Sequence, residues 1–115
     1  KKINTALAHG PLGVTIAKTK YNISNPDILN AIYYHTTGRE NMSLLEKIVF
    51  IADLIEPSRN FCGVEEMREL AYEDIDEALI LALDRNINFV LERRNLLHLD
   101  TVAARNYLII QKDME

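Results

Sequence analysis

Three side chains that could bind a metal ion fall on three successive predicted helices of this chain. His9 stands at a helix turn in Ala8-His9-Gly10-Pro11, His35 ends the next helix, and Asp53 lies within the third. Neutral imidazole nitrogens and carboxylate oxygens are suitable ligands for zinc, iron or manganese. Metal sites in helical bundles take their ligands from several packed helices. The pattern therefore predicts that these three side chains converge on a metal.

Asp53 stands out because its helix, residues 43–56, is apolar on most of its surface. A helix of this kind is normally buried, and an unpaired buried carboxylate is unfavourable. The sequence therefore predicts that Asp53 is buried and that a metal shared with His35 compensates its charge. The alternative is a salt bridge from Asp53 to an arginine of a neighbouring helix.

Two arginines, Arg39 and Arg59, lie just beyond the ends of the helices that carry His35 and Asp53. A planar guanidinium group can bind phosphate oxygens through parallel hydrogen bonds. Both arginines are therefore candidates for phosphate binding, and the alternative is that they are solvated loop residues. The third histidine, His98, lies in a polar turn and is predicted to be structural or exposed.

The apolar residues recur with helical periodicity along the chain, which predicts an all-α fold. Asn25 followed by Pro26 is a helix start, and Ser43 opens a capping box with Glu46. Asp100-Thr101 is predicted to cap the last helix. The predicted helices span residues 5–21, 26–36, 43–56, 63–71, 74–94 and 101–112.

The same periodicity predicts which side chains face the core. In the first helix these are Leu12, Ile16 and the Ala17 side. In the third helix they are Leu44, Ile48, Ile51 and Ile55, with Glu46 and Asp53 on the remaining face. In the last two helices they are Ile75, Leu79, Ala82, Leu83, Ile87, Val90, Leu91, Val102, Leu108 and Ile109.

Composition places the chain in an ordinary globular class. Its 115 residues are 48% hydrophobic and 26% charged, which suits one domain with a modest core. The net charge of -4 argues against binding to nucleic acid or to an anionic membrane. The apolar runs fall short of the roughly 20 residues that span a bilayer. The single cysteine, Cys62, excludes an intramolecular disulfide and fits a cytoplasmic protein.

Most of the chain resembles the YqeK-type family of HD-domain phosphohydrolases, which are bacterial symmetrical diadenosine tetraphosphatases. The central similar segments are Tyr34-His35-Thr36-Thr37-Gly38-Arg39, Met42-Ser43-Leu44-Leu45-Glu46-Lys47 and Ala52-Asp53-Leu54-Ile55-Glu56-Pro57-Ser58-Arg59. The outer similar segments are His9-Gly10-Pro11, Gly63-Val64 and Asp100-Thr101-Val102-Ala103-Ala104-Arg105-Asn106.

The resemblance implies an all-α HD-domain helical bundle that binds two metals, typically iron, with zinc or manganese as alternatives. Members of the family split dinucleoside tetraphosphates into two nucleoside diphosphates. His9 and His35 match histidine ligands of the family. Asp53 matches a late aspartate ligand, and its loss is expected to abolish activity.

The resemblance also implies roles for residues on the substrate side of the site. Arg39 and Arg59 fall in the family's signature loops and are expected to hold phosphate, together with Thr36 and Gly38. Glu56 lies one helical turn beyond Asp53 and is expected to orient it.

The chain departs from the family pattern in one respect, because none of its histidines is followed by an aspartate. The name-giving His-Asp pair and an earlier histidine ligand belong to upstream helices. Residues 1–115 are therefore expected to be the C-terminal portion of a single HD domain, without its N-terminal helices. Such a portion is expected to supply part of the metal shell and to be catalytically poor alone. Produced alone, it is expected to be unstable, aggregated or homo-oligomeric.

Two other functions remain open at the level of sequence. One is an HD-domain nucleotide phosphatase that acts on a different substrate. The other is a helical interaction module without chemistry, in which Asp53 forms a salt bridge and no metal is bound.

Overall fold

The computed structural model describes residues 9–115, and this part of the chain contains six α-helices and no strand. The all-α prediction is confirmed. The predicted start of the first helix, residues 5–8, lies outside the described residues. The helices are α1 (His9–Lys20), α2 (Pro26–Tyr33), α3 (Leu44–Ile55), α4 (Val64–Glu73), α5 (Ile75–Glu92) and α6 (Leu99–Asp113).

Two predicted helix starts are confirmed by hydrogen bonds to the caps. The Oδ1 atom of Asn25 accepts from the Asp27 amide at 2.9 Å, and Ser43 Oγ accepts from the Glu46 amide at 3.2 Å. Ser43 Oγ also donates to Asp27 Oδ1 at 2.5 Å, which joins the starts of α2 and α3. Each cap satisfies amide groups that the first helical turn leaves without an internal partner.

The predicted cap of the last helix is wrong. His98 caps α6 in place of Asp100-Thr101. Its imidazole Nδ1 accepts a hydrogen bond from the Asp100 amide at 3.1 Å. Thr101 is instead buried. His98 was predicted to be structural or exposed, and this hydrogen bond gives it a structural role.

Helix α5 forms the centre of the fold, because α3, α4 and α6 all pack against it. Helix α2 packs between α1 and α3. The core is the set of buried side chains Met42, Phe50, Ile51, Met67, Ala78, Leu79, Ala82, Leu83, Ala104 and Leu108. Among residues 9–115, no helix is long and apolar enough to cross a membrane.

The predicted inward stripe of α3 is partly wrong. Leu44 and Ile48 are 65% and 46% exposed, whereas Phe50, Ile51 and the charged Glu46 are buried. Because α3 is apolar almost all round, its sequence did not define one face, and contacts with α2, α4 and α5 selected the side that carries Phe50.

Two smaller corrections concern α1 and α5. Leu12 and Ile16 were predicted to face the core and are exposed, whereas Gly10 and Ala17 are buried. These small residues allow a close helix contact, since a Cβ atom on Gly10 would lie 2.0 Å from the Tyr33 carbonyl oxygen. Leu91, in the last turn of α5, is also exposed instead of buried.

Candidate functional site

His35 follows the end of α2 and has one ring nitrogen fixed by the main chain. Its Nδ1 atom lies 2.6 Å from the Ile32 carbonyl oxygen. A carbonyl oxygen only accepts hydrogen bonds, so this contact places the proton on Nδ1 and leaves the lone pair on Nε2. Metal-binding histidines commonly have one nitrogen held by such a carbonyl while the other binds the metal. His35 is half-buried and has the tautomer that a metal ligand requires, with the lone pair on Nε2.

His9 lies in the first described turn of α1 and is exposed. The next residue, Gly10, packs directly on the main chain of Tyr33, two residues before His35. The helix contact therefore brings the segment that carries His9 to the end of α2.

Asp53 was predicted to be buried, and this prediction is wrong. Its side chain is 53% exposed, and Oδ2 lies 3.5 Å from Nη2 of Arg59. The arginine comes from the loop after the same helix and not from a neighbouring helix. Because an exposed carboxylate is hydrated, burial gives no reason to require a metal at Asp53.

The three predicted ligands do not complete a metal site by themselves. Within residues 9–115, no group of three or more His, Cys, Asp or Glu side chains is arranged so that it could hold a metal ion. The segments of His9 and His35 lie together, but Asp53 does not join them in such a cluster. Their role as ligands remains a prediction.

Arg39 makes a two-point ion pair with the buried carboxylate of Glu46. Its Nε and Nη2 atoms donate to Glu46 Oε1 and Oε2 at 2.7 and 2.6 Å. Glu46 is only 2% exposed, and the Arg39 guanidinium also lies 5.0 Å from the ring centroid of Tyr34. The hydrogen bonds to Glu46 raise the pKa of Arg39. The first function of Arg39 is therefore to neutralise a buried charge.

Sequence reasoning placed Glu46 with Asp53 on the remaining face of α3 and missed this role. One signal was available, because Glu46 and the buried Phe50 are four residues apart and share one helix face. The side chain of Arg39 remains 34% exposed, so part of its guanidinium still faces the surface.

Gly38 has a packing role in the loop of residues 36–39, which carries Arg39. Its φ of +72° lies in the left-handed region, and its amide donates to the Tyr34 carbonyl at 2.8 Å. A Cβ atom at this position would lie 3.2 Å from the Ala104 Cβ. Thr37 is buried and donates to the Gly38 carbonyl at 3.0 Å, and Thr36 is half-buried with contacts of its own. The loop is thus held against α6.

Glu56 and Arg59 lie together in the turn that ends α3. The Glu56 carboxylate accepts from the amide and the hydroxyl of Ser58, at 2.9 and 2.7 Å, and these bonds lower the pKa of Glu56. Glu56 Oε2 also lies 3.4 Å from Arg59 Nε. Arg59 Nε donates to the Asp53 carbonyl at 3.1 Å. Any orienting effect of Glu56 on Asp53 therefore passes through Arg59.

Arg68 is the residue of this region that sequence reasoning missed. From α4 it donates to the main-chain carbonyls of Ile55, Glu56 and Arg59 at 2.9, 3.0 and 2.9 Å. One signal in the sequence was available. Pro57 ends α3, and the last carbonyl groups of a helix that ends can accept hydrogen bonds from a nearby cation.

Comparison with known structures defines the class of fold. Over 90% of this chain, and 55% of the other, the structure matches a crystal structure from Clostridium acetobutylicum with a TM-score of 0.87 and 52% sequence identity. That protein is described as a predicted HD superfamily hydrolase involved in NAD metabolism. The described helices therefore have the fold of part of an HD superfamily hydrolase. No protein-family model matches the chain.

Sequence comparison finds relatives that carry a more specific name. The chain is 44% identical over 106 residues to a protein of Halalkalibacterium halodurans, and 40% identical over 106 residues to one of Bacillus subtilis. Both are named symmetrical bis(5'-nucleosyl)-tetraphosphatases. Each match covers 92% of this chain, but only 57% of the relative, so the chain spans about half the length of these relatives. The family resemblance of the motifs is confirmed: the chain is homologous to part of a symmetrical tetraphosphatase.

Proposed function

We propose that this chain is part of a metal-dependent phosphohydrolase that splits symmetrical dinucleoside tetraphosphates, such as diadenosine tetraphosphate, into two nucleoside diphosphates. The observation that carries the proposal is the similarity to named symmetrical tetraphosphatases over 92% of the chain. The complete protein acts in the cytoplasm in this proposal, which the single cysteine supports.

His9, His35 and Asp53 are the residues of this chain that hold the metals in the proposal, and two iron ions are the expected pair, with zinc or manganese as alternatives. The hydrogen bond from His35 Nδ1 to Ile32 supports this, since it leaves Nε2 available. The remaining ligands come from the part of the longer relatives that this chain does not cover. When bound, the metals supply the positive charge that makes water nucleophilic near neutral pH and stabilises phosphoryl oxygens.

Arg59 is the better supported of the two phosphate-binding candidates. Its ion pairs with Asp53 and Glu56, at 3.5 and 3.4 Å, are long and lie at the surface, and its one shorter hydrogen bond, to the Asp53 carbonyl at 3.1 Å, is also exposed. Exposed ion pairs of this kind contribute little, so the guanidinium can turn to a phosphate at small cost. Arg39 binds phosphate in this proposal only through the exposed part of its guanidinium, since Nε and Nη2 are held by Glu46.

The proposal is tested by replacing Asp53 with alanine in the complete protein. We expect hydrolysis of diadenosine tetraphosphate to be lost and the metal-to-protein ratio to fall, while circular dichroism remains helical. Asp84→Ala is the matched control, because Asp84 is also an aspartate that pairs with one arginine, Arg105, and its side chain is 42% exposed. Normal turnover and normal metal content in Asp53→Ala would show that Asp53 binds no metal.

A further inference from the structure

Arg68 closes the end of α3 with one side chain. Its Nε and Nη2 atoms reach the carbonyl groups of Ile55, Glu56 and Arg59, and Nη1 pairs with Glu65 Oε2 at 2.8 Å. The last carbonyl groups of a helix have no partner within the helix. Pro57 stops α3 from continuing, so these groups depend on a donor from elsewhere. Arg68 supplies hydrogen bonds to the Ile55 and Glu56 carbonyls, and it also binds the Arg59 carbonyl in the turn that follows.

The same contacts fix the main chain of Arg59 on both sides. Its amide donates to the Glu56 carbonyl at 2.9 Å, and its own carbonyl accepts from Arg68 at 2.9 Å. The Glu56 carbonyl thus accepts from both Arg59 and Arg68. With its backbone held in this way, Arg59 extends back along α3 to Asp53.

We infer that Arg68 is a positioning residue, which sets the place of Arg59 beside Asp53 by binding the turn between α3 and α4. This inference rests on the proposed function, in which Arg59 holds phosphate and Asp53 binds metal. Arg68 itself touches neither substrate nor metal in this account. Its effect passes through the backbone of residues 55–59.

The shape of the guanidinium group explains why arginine stands here. Three carbonyl oxygens are bound by two nitrogens that lie in one rigid plane, and a third nitrogen meets Glu65. A lysine carries one ammonium nitrogen on a flexible stem and cannot reproduce this fork. The Glu65 contact adds little, since the Glu65 side chain is 82% exposed. Arg68→Lys therefore keeps the charge but loses the geometry.

Lys112, a residue of α6, provides a matched control. Lys112 has the same side-chain exposure as Arg68, 23%, and pairs with Asp74 and Glu77 at the start of α5. Lys112→Ala removes a cross-helix cation without touching the turn at residues 55–59. The activity of Lys112→Ala therefore shows what the loss of a partly buried cation does when the turn stays intact.

The experiment measures hydrolysis of diadenosine tetraphosphate by the complete protein and its variants. We expect Arg68→Ala and Arg68→Lys to reduce kcat/KM by about 10- to 100-fold, as misplacement of a substrate-binding group does. Metal content stays unchanged, and Lys112→Ala stays near wild type. In an Arg59→Ala background, Arg68→Ala has no further effect, because its target is already gone. Independent, multiplying losses, or full activity in Arg68→Lys, would overturn the inference.

Amide hydrogen exchange at Ser58 and Arg59 provides a readout that does not depend on turnover. We expect faster exchange at both amides in Arg68→Ala and unchanged exchange in Lys112→Ala. Unchanged exchange in Arg68→Ala would overturn the positioning role even if activity fell. A wild-type protein that binds metal but hydrolyses no dinucleoside tetraphosphate would instead overturn the proposed function, while the exchange measurement still decides the role of Arg68.

Discussion

Arg39 binds both carboxylate oxygens of Glu46, a residue of α3 that is almost completely removed from solvent. A loop residue thus neutralises a charge inside the helical core. The pair connects the end of the Thr36–Arg39 loop to α3, the helix that carries Asp53. An ion pair thus joins the segment after His35 to the helix of the other predicted ligand.

The Arg39–Glu46 pair is expected to contribute to stability as well as to any phosphate binding. Arg39→Ala leaves the buried Glu46 carboxylate without a partner and should lower the free energy of unfolding by about 3 kcal/mol, the lower end for a broken buried pair, because Arg39 is a third exposed. Arg59→Ala breaks only exposed ion pairs and one exposed hydrogen bond, and it should change the free energy of unfolding by less than about 1 kcal/mol. Denaturant unfolding of the complete protein compares them, and equal losses would contradict the assignment.

Glu56 is expected to titrate below its ordinary range. Hydrogen bonds from Ser58 favour the charged carboxylate and lower its pKa from 4.5. The stabilisation is therefore present above pH 4.5 and is lost as the pH falls through the lower folded pKa. An NMR titration of the Glu56 carboxyl carbon should give a midpoint below 4.5, and Ser58→Ala should raise it. A wild-type midpoint at or above 4.5 would contradict the observed hydrogen bonds.

Gly38 and Ala104 are expected to be energetically coupled. Gly38→Ala places a side chain at positive φ, which is unfavourable by about 1–2 kcal/mol, and brings it against Ala104. Ala104→Gly removes the opposing methyl group, so the double variant should lose less than the sum of the single losses. Gly63→Ala serves as the control, because Gly63 also has positive φ but has no heavy atom within 4 Å of its added Cβ. Strict additivity for Gly38 and Ala104 would show that they do not press on each other.

The exposed apolar side of α3 predicts that residues 1–115, produced alone, associate with themselves. Leu44 and Ile48 lie one turn apart on this helix and are 65% and 46% exposed. Apolar surface of this kind favours association. Sedimentation should detect species larger than a monomer, and replacing both residues with lysine should reduce them. Ile110→Lys, which changes an exposed apolar residue on α6, should not. A monomeric unmodified chain would contradict this prediction.

Local signals explain why the sequence predicted the helices so well. Asn25 and Ser43 make caps with their own neighbours, so the pattern is visible in a few adjacent residues. The last cap was misassigned because His98 acts through a ring nitrogen, whereas capping is usually recognised from the side-chain oxygens of short polar residues.

Long-range contacts explain where sequence reasoning failed at the site. Because α3 is apolar on nearly every side, sequence reasoning buried Asp53 and placed Glu46 on the same face without a partner, whereas in the structure Asp53 is exposed and Glu46 is buried against Arg39. The correct assignment depends on where Arg39 lies after folding. The hydrogen bonds of Arg68 join residues 9 to 13 positions apart in the sequence. They too depend on where α4 packs after folding.

The products formed from diadenosine tetraphosphate by the complete, metal-loaded protein test the central claim most directly. Symmetrical hydrolysis gives ADP alone, two molecules for each substrate molecule consumed, and chromatography separates ADP from ATP and AMP. We expect ADP as the only initial product, with its formation lost in Asp53→Ala. Equal amounts of ATP and AMP, or no products from a folded and metal-loaded protein, would contradict the account.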